Sequence, residues 1–142
     1  MQENSVIKGR NSMMVKVILD SNFFFIPFRF RIDIFEELNV LLGKAEPIVL
    51  STTLDEMRKI LKRSRGKKFM EFSAALKLAE KCEILKVEKE TSEEYDDVIL
   101  RVAKHLRIPV ATNDAELRKK LRKLGLPTIY LREKSKLVIE GY

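Results

Sequence analysis

The stretch VKVILDSNFFFIPF at residues 15–28 decides the fold, because it leads a short β-branched apolar run into a single aspartate. Residues 14–19, with the sequence MVKVIL, have the length and composition of a buried strand. Asp20 ends that strand, and two small polar residues and three phenylalanines follow it. We expect the phenylalanines to form a wall beside Asp20, through core packing, through a dimer contact or as a base-stacking surface.

The composition is that of a folded globular chain. Of its 142 residues 45% are apolar, and glycine and proline are scarce, which suits one domain with its own core. We expect a flexible segment at 1–13 and a single domain over 14–142. No apolar run approaches the roughly 20 residues of a membrane span, and residues 1–13 lack the apolar region of a secretory signal. One cysteine, Cys82, fits a reducing cytoplasm.

The charge balance is basic, with 28 Lys and Arg against 21 Asp and Glu and a net charge of +7. A basic surface favours polyanions, above all nucleic acid. The alternative is a surface with many ion pairs, because 35% of the residues are charged and a high fraction of charged residues is also typical of thermophile proteins. Charge alone leaves both interpretations open.

Strands and helices alternate from end to end, which predicts an α/β fold with crossover connections. We expect a three-layer α/β/α sandwich around a central parallel five-stranded sheet, with a possible short sixth edge strand at 136–142. Thr52 or Thr53 and Ser92 are plausible helix caps. The predicted strands cover 14–19, 47–51, 83–88, 108–113 and 127–133, and the predicted helices cover 32–43, 52–64, 67–82, 92–106 and 114–125.

Two predicted strands end in acidic or amide side chains. Asp20 ends the first, and Asn113 and Asp114 follow the fourth. Ligands of open α/β sheets bind outside the carboxyl ends of the strands, so these residues are candidates for a site. The alternative for Asp114 is an ordinary helix N-cap.

Two further acids open helices that begin at the same edge. Successive residues of an α-helix are about 100° apart around its axis. By this spacing Asp96 lies roughly 70° from the centre of its helix's apolar face, and Asp97 points almost opposite. In the helix after the second strand, Glu56 lies about 110° from the apolar centre and Asp55 about 150°. The alternative for these acids is simple complementation of the helix dipole.

Four carboxylates at one edge would repel each other and raise their pKa values. A fold tolerates such a cluster mainly when a hard cation neutralises it, and a set of oxygen ligands suits Mg²⁺ or Mn²⁺. The single histidine, His105, lies late in its helix, where a surface or interface position is expected. A zinc site is therefore unsupported.

These residues resemble the PIN domain nucleases, archaeal-type, and most closely the branch that processes ribosomal RNA. The resemblance rests on VILDSN, LDEM, YDDVILRVA and VATNDAEL, in that order, within about residues 14–132. The third motif carries Asp96 and Ile99 at the family's Asp-x-x-Ile spacing. The fourth carries Thr112 and Asp114 at its Thr-x-Asp spacing.

The resemblance implies a ribonuclease that hydrolyses RNA phosphodiester bonds with the help of Mg²⁺ or Mn²⁺. It also implies a homodimer, and ribosome-assembly proteins or an antitoxin as partners. The implied catalytic, metal-binding acids are Asp20, Glu56, Asp96 and Asp114, with Asp97 as the alternative to Asp96. The implied supporting residues are Ser21, Asn22, Thr112 and Asn113.

Two basic runs trail the acid motifs, RKILKRSRGKK at 58–68 and RKKLRK at 118–123. They could flank the site and bind phosphates, or they could be ordinary solvated helix faces. The candidate RNA-binding residues are Arg58, Lys62, Arg63, Arg65, Lys67, Lys68, Arg118, Lys119 and Arg122.

Other functions on an α/β sheet fit less well. A receiver-type phosphoacceptor needs adjacent acids after the first strand, and a haloacid-dehalogenase-like phosphatase needs Asp-x-Asp where this chain has Asn22. A VapC-type toxin ribonuclease and a non-catalytic RNA-binding module on the same fold remain as alternatives.

Overall fold

The structure is a computed structural model, and it describes residues 14–141. The segment 1–13, expected to be flexible, lies outside the described residues. The strands are β1 (Val15–Leu19), β2 (Ala45–Leu50), β3 (Glu83–Leu85), β4 (Val110–Ala111), β5 (Thr128–Arg132) and β6 (Lys136–Glu140). The α-helices are α1 (Ile26–Phe30), α2 (Ile34–Leu42), α3 (Ser51–Lys62), α4 (Gly66–Ala79), α5 (Tyr95–Leu106) and α6 (Ala115–Lys123), and a 3-10 helix covers Ser21–Phe25.

The six strands form one sheet in the order β3-β2-β1-β4-β5-β6. The first five run parallel, with Ile18 of β1 opposite Ile48 on one side and Val110 on the other. β6 pairs antiparallel with β5 along five residue pairs. The predicted parallel five-stranded sheet is confirmed, and the sixth strand at its edge is a full partner of β5.

Helices cover both faces of the sheet, which gives the predicted three layers. Side chains alternate along a strand, so Val17 and Leu19 pack into one core with Phe23, Phe24 and the helices α2 to α4. Ile18 points the opposite way, into a second core formed largely by α5 and α6. None of the helices within residues 14–141 combines the length and the apolar character that crossing a membrane requires.

The phenylalanine run folds into the 3-10 helix and α1, elements that the sequence analysis did not predict. Phe23 and Phe24 are fully buried, and Phe25 packs edge-to-face on Phe72 with ring centroids 4.7 Å apart. The core-packing interpretation therefore describes these three residues. Phe28, which follows on α1, is 48% exposed.

The caps predicted at Thr52 or Thr53 and at Ser92 are wrong. α3 begins at Ser51, directly after β2, and Thr52 and Thr53 are buried inside its first turn. α5 is capped by Glu94 instead of Ser92. Glu94 and Asp97 form a capping box, and the backbone N–H of Glu94 donates to Asp97 Oδ2 at 2.8 Å. The box satisfies two backbone donors reciprocally, which a lone serine further upstream does not.

Candidate active site

The site is built at the carboxyl ends of β1 and β4, which are neighbours in the sheet. The backbone N–H of Asp20 donates to the Ala111 carbonyl at 3.0 Å. This bond places Asp20 beside the turn that joins β4 to α6. Because β2 lies on the other side of β1, the start of α3 reaches the same edge.

Asp20 is only 4% exposed, and three hydrogen bonds hold its carboxylate. Its Oδ2 accepts from the Thr112 hydroxyl at 2.8 Å and from Asn22 Nδ2 at 3.1 Å. Its Oδ1 accepts from the Ser21 backbone N–H at 2.8 Å. Burial raises the pKa of Asp20, these hydrogen bonds lower it, and the negative charge of Asp114 raises it further.

The turn after β4 is fixed by the same polar residues. Asn22 Oδ1 accepts from the Asn113 backbone N–H at 3.0 Å, and Thr112 Oγ1 accepts from the Asp114 backbone N–H at 3.1 Å. Asn113 Oδ1 accepts from the backbone N–H of Leu131 at 2.9 Å. Thr112 and Asn22 thus contact Asp20 through side chains. Ser21 does so through its backbone, and the Asn113 side chain ties the turn to β5.

Asp114 lies at this edge and also caps α6. Its Oδ1 accepts from the backbone N–H groups of Glu116 and Leu117, at 2.9 and 3.3 Å. The N-cap interpretation from the sequence is correct. The cap does not remove Asp114 from the site, because its charge raises the pKa of both Asp20 and Asp96.

Glu56 and Asp96 complete a group of interacting carboxylates. Burial, and then repulsion from Asp20 and Asp96, raise the pKa of Glu56 to about 7. Burial, and then repulsion from Asp20 and Asp114, raise the pKa of Asp96 to about 6, against a lowering influence of Lys120. Carboxylates that raise one another's pKa values lie within electrostatic reach of each other.

The neighbouring acids have other partners. Asp97 is engaged by the Glu94 backbone in the capping box. Asp55 is exposed, with its Oδ1 at 3.6 Å from Arg58 Nη1. Asp97 also raises the pKa of Asp96, as the smallest of its causes, so what separates Asp97 from the carboxylate group is its engagement in the capping box.

The carboxylates do not form a closed cation site in this arrangement. Within residues 14–141, no set of three or more Asp, Glu, His or Cys side chains is grouped tightly enough to hold a metal ion. Both oxygens of Asp20 and one oxygen of Asp114 already accept hydrogen bonds. The acids are therefore close enough to repel each other, but their oxygens do not converge on one point.

The candidate RNA-binding residues divide into two groups. Arg58 contacts Glu80 at 3.1 Å, Arg122 contacts Glu140 at 2.7 Å, and the Arg118 guanidinium stacks 3.9 Å from the Tyr130 ring centroid. These three are engaged within the chain. The others are exposed and contact no carboxylate of the described residues within 4.0 Å: Lys62, Arg63, Arg65, Lys67, Lys68 and Lys119.

The structure adds three residues to the named candidates, of which Lys59 and Lys120 lie within the two basic runs. Lys59 and Tyr95 line a cavity of about 230 Å³ together with Glu56, and Lys59 Nζ donates to the Tyr95 hydroxyl at 3.2 Å. Lys120 on α6 acts electrostatically on Asp96. Lys59 follows Glu56 by three residues on α3, a spacing that could have indicated a shared helix face.

The cysteine and the histidine lie away from this edge. Cys82 is buried, and burial raises the pKa of its thiol to about 12, so it is no nucleophile at neutral pH. His105 is exposed near the end of α5. The surface position expected for His105 is confirmed.

Comparisons with known proteins agree with this architecture. The family model described as a PIN like domain matches residues 17–134. The structure of the PIN domain endonuclease Utp24 superimposes with a TM-score of 0.72, at 27% identity, over 89% of this chain and 92% of that one.

Relatives of known name are similar along most of the chain. Ribonuclease VapC4 of Methanocaldococcus jannaschii is 33% identical over 90% of this chain and 98% of its own length. Ribonuclease VapC9 of Archaeoglobus fulgidus is 27% identical over 94% of this chain and 95% of its own length. The rRNA-processing protein FCF1 of Saccharomyces cerevisiae is 31% identical over 79% of this chain, which spans 57% of that protein. The chain belongs to the PIN-like domain family.

Proposed function

We propose that this protein is a ribonuclease that depends on Mg²⁺ or Mn²⁺, with Asp20, Glu56, Asp96 and Asp114 as the metal-binding acids. The observation that carries the proposal is the placement of these acids at the carboxyl edge of the sheet, where burial first, and then the charges of neighbouring acids, raise the pKa of Asp20, Glu56 and Asp96. Two relatives that match this chain along nearly their whole length are named ribonucleases.

The chemistry of the donor set fits a hard divalent cation. All four side chains offer carboxylate oxygens, which Mg²⁺ and Mn²⁺ prefer. Burial, and then the charges of neighbouring acids, raise the pKa of Glu56 and of Asp96, and a bound cation would offset that repulsion. Such a cation supplies Lewis-acid activation of a phosphodiester and of an attacking water.

Other residues of the chain hold these carboxylates in place. Thr112 and Asn22 fix the Asp20 carboxylate, and the α6 cap fixes Asp114. Glu56 and Asp96 face them from α3 and α5. Hydrolysis forms a bond from the water oxygen to phosphorus and breaks the bond to the leaving oxygen. One water proton goes to solvent, and the leaving oxygen ends protonated. No side chain of this protein forms a covalent intermediate in this scheme.

The proposal is tested by incubating the protein with a structured ribosomal RNA fragment and Mn²⁺ or Mg²⁺. We expect cleavage that EDTA abolishes and that Asp20→Asn and Asp96→Asn each reduce at least about 100-fold. The matched control is Asp55→Asn, an exposed acid next to Glu56, which should cleave like the wild type. Cleavage that survives in both site variants would refute the assignment.

The role in the cell has two candidates. Ribosomal RNA processing is favoured by the similarity to FCF1, which is named an rRNA-processing protein, and a toxin role by the similarity to the ribonucleases VapC4 and VapC9. A toxin should arrest growth when expressed without an inhibitory partner, and Asp20→Asn should abolish that arrest. A processing enzyme should instead cut a ribosomal RNA precursor at one position without arresting growth.

A non-catalytic RNA-binding module is the remaining alternative. It would bind RNA without cleaving it in the assay above. We also propose a cytoplasmic location, which suits the single buried thiol, and a homodimer. Sedimentation of the purified protein tests the dimer: a mass near the 16.6 kDa of one chain would contradict it.

A further inference from the structure

We propose that Tyr95 and Lys59 form a subsite for one nucleotide of a single-stranded RNA, beside the carboxylates. This inference rests on the proposed function, since it assigns two further residues to the binding of RNA at that site. Lys59 lies within the basic run at 58–68 but is not one of the named RNA-binding candidates, and Tyr95 is in neither basic run.

Tyr95 stands between the carboxylates and a larger groove. It is the first residue of α5 and directly precedes Asp96. With Lys59 it lines both the cavity that contains Glu56 and an adjoining groove of about 740 Å³. A groove of that volume falls in the range of about 300–1,000 Å³ that is typical of ligand pockets. The Lys59–Tyr95 pair therefore forms a wall that the two spaces share.

The groove is lined by four basic side chains, Arg58, Lys59, Lys62 and Lys89, and by two acidic ones, Asp55 and Glu88. Lys59, Lys62 and Lys89 line it, and none of their ammonium groups lies within 4.0 Å of a carboxylate of the described residues. Lys59 Nζ and Lys89 Nζ lie 5.9 and 5.4 Å from the centre of the Tyr95 ring. An entering phosphate would therefore meet available positive charge next to an aromatic ring.

This combination fits a single strand better than a duplex. Proteins that bind single strands combine a basic groove with aromatic rings on which bases stack. In an A-form duplex the bases are already stacked and paired, so they cannot reach a side-chain ring. A base on Tyr95 and its phosphate on Lys59 would place the neighbouring phosphate toward Glu56 and Asp96.

The competing explanation is that Lys59 and Tyr95 only tie α3 to α5. Fluorescence anisotropy in EDTA distinguishes a nucleotide subsite from a purely structural contact, with a labelled unstructured oligouridylate and a short RNA duplex as probes. We expect Tyr95→Ala to weaken oligouridylate binding about tenfold and Tyr95→Phe to stay within about twofold. Lys59→Gln should reduce the salt slope of binding by about 0.7, and Lys104→Gln, at the far end of α5, should not. Oligouridylate binding unchanged in Tyr95→Ala, or equal weakening for the duplex, would overturn the inference.

Intrinsic fluorescence gives a test that does not need Tyr95→Ala to fold. The chain has three tyrosines and no tryptophan, so stacking on Tyr95 should quench its emission. We expect oligouridylate to quench the wild type and to lose most of that effect in Tyr95→Phe. Equal quenching in both would refute the subsite.

Failure of this inference is distinguishable from failure of the proposed function. Binding in EDTA that depends on Tyr95, without any cleavage in Mn²⁺, would support the subsite and refute the nuclease. Cleavage in Mn²⁺ with binding that is indifferent to Tyr95 would refute the subsite alone.

Discussion

Glu56→Gln should stabilise the folded protein at alkaline pH in the absence of metal. The folded pKa of Glu56 is about 7, against an ordinary value of 4.5. Because the pKa is raised, the folded chain binds more protons than the unfolded chain between these values. The free energy of unfolding therefore falls as pH rises from about 4.5 to about 7, and the whole penalty is present above pH 7.

The size of the effect follows from that difference. At 1.36 kcal/mol per pKa unit it corresponds to about 3 kcal/mol. Glu56 is only half-buried, and solvent screening reduces the value to about 1–2 kcal/mol. Glutamine keeps the shape of the side chain and removes the charge, so the variant should gain this amount at pH 8 and nothing at pH 4.

Urea unfolding in EDTA, followed by circular dichroism from pH 4 to pH 8, measures this. Asp55→Asn is the matched control, because Asp55 is the exposed acid of the same helix turn. That variant should stay within about 0.5 kcal/mol of the wild type at every pH. If Glu56→Gln is no more stable than the wild type at pH 8, burial and the neighbouring acids do not raise the pKa of Glu56 as described.

Three further outcomes follow from the structure. Mn²⁺ at about 100 times its Kd should raise the free energy of unfolding of the wild type by about 2.7 kcal/mol, measured by thermal unfolding. An equal gain in Asp96→Asn would contradict the role of Asp96 as a metal-binding acid. Thr112→Val removes the 2.8 Å hydrogen bond to the fully enclosed Asp20 and should cost about 1–3 kcal/mol in urea unfolding; a loss below about 0.5 kcal/mol would show that the bond is dispensable. Phe23→Ala empties a fully buried position and should cost about 3–5 kcal/mol, whereas a base-stacking role would give weakened RNA binding at unchanged stability.

Most of the fold could be predicted because its signals are local. The β-branched run before Asp20 and the alternation of strands and helices were enough for the sheet and its layers. The caps of α3 and α5 were missed because several polar residues near a helix start compete as caps. Tertiary packing, which buries Thr52 and Thr53, decides between them. The 3-10 helix was missed because phenylalanines are equally typical of strands.

The candidate site, like the fold, could be predicted only where its signals are local. Asp20 and Asp114 follow strands, and Asp96 was separated from Asp97 by helical periodicity alone. Lys59 and Tyr95 could not be paired from the sequence, because they are 36 residues apart. Their contact depends on how α3 packs against α5. The ion pairs that engage Arg58 and Arg122 also join distant parts of the chain.

The central claim is that one acid of each adjacent pair serves RNA cleavage, and a paired comparison tests it most directly. RNA cleavage in Mn²⁺ should be measured for Glu56→Gln against Asp55→Asn, and for Asp96→Asn against Asp97→Asn. The account predicts that Glu56→Gln and Asp96→Asn lose at least about 100-fold in rate, while the other two stay within about threefold of the wild type. Equal losses within each pair, or losses in Asp97→Asn and Asp55→Asn alone, would contradict it.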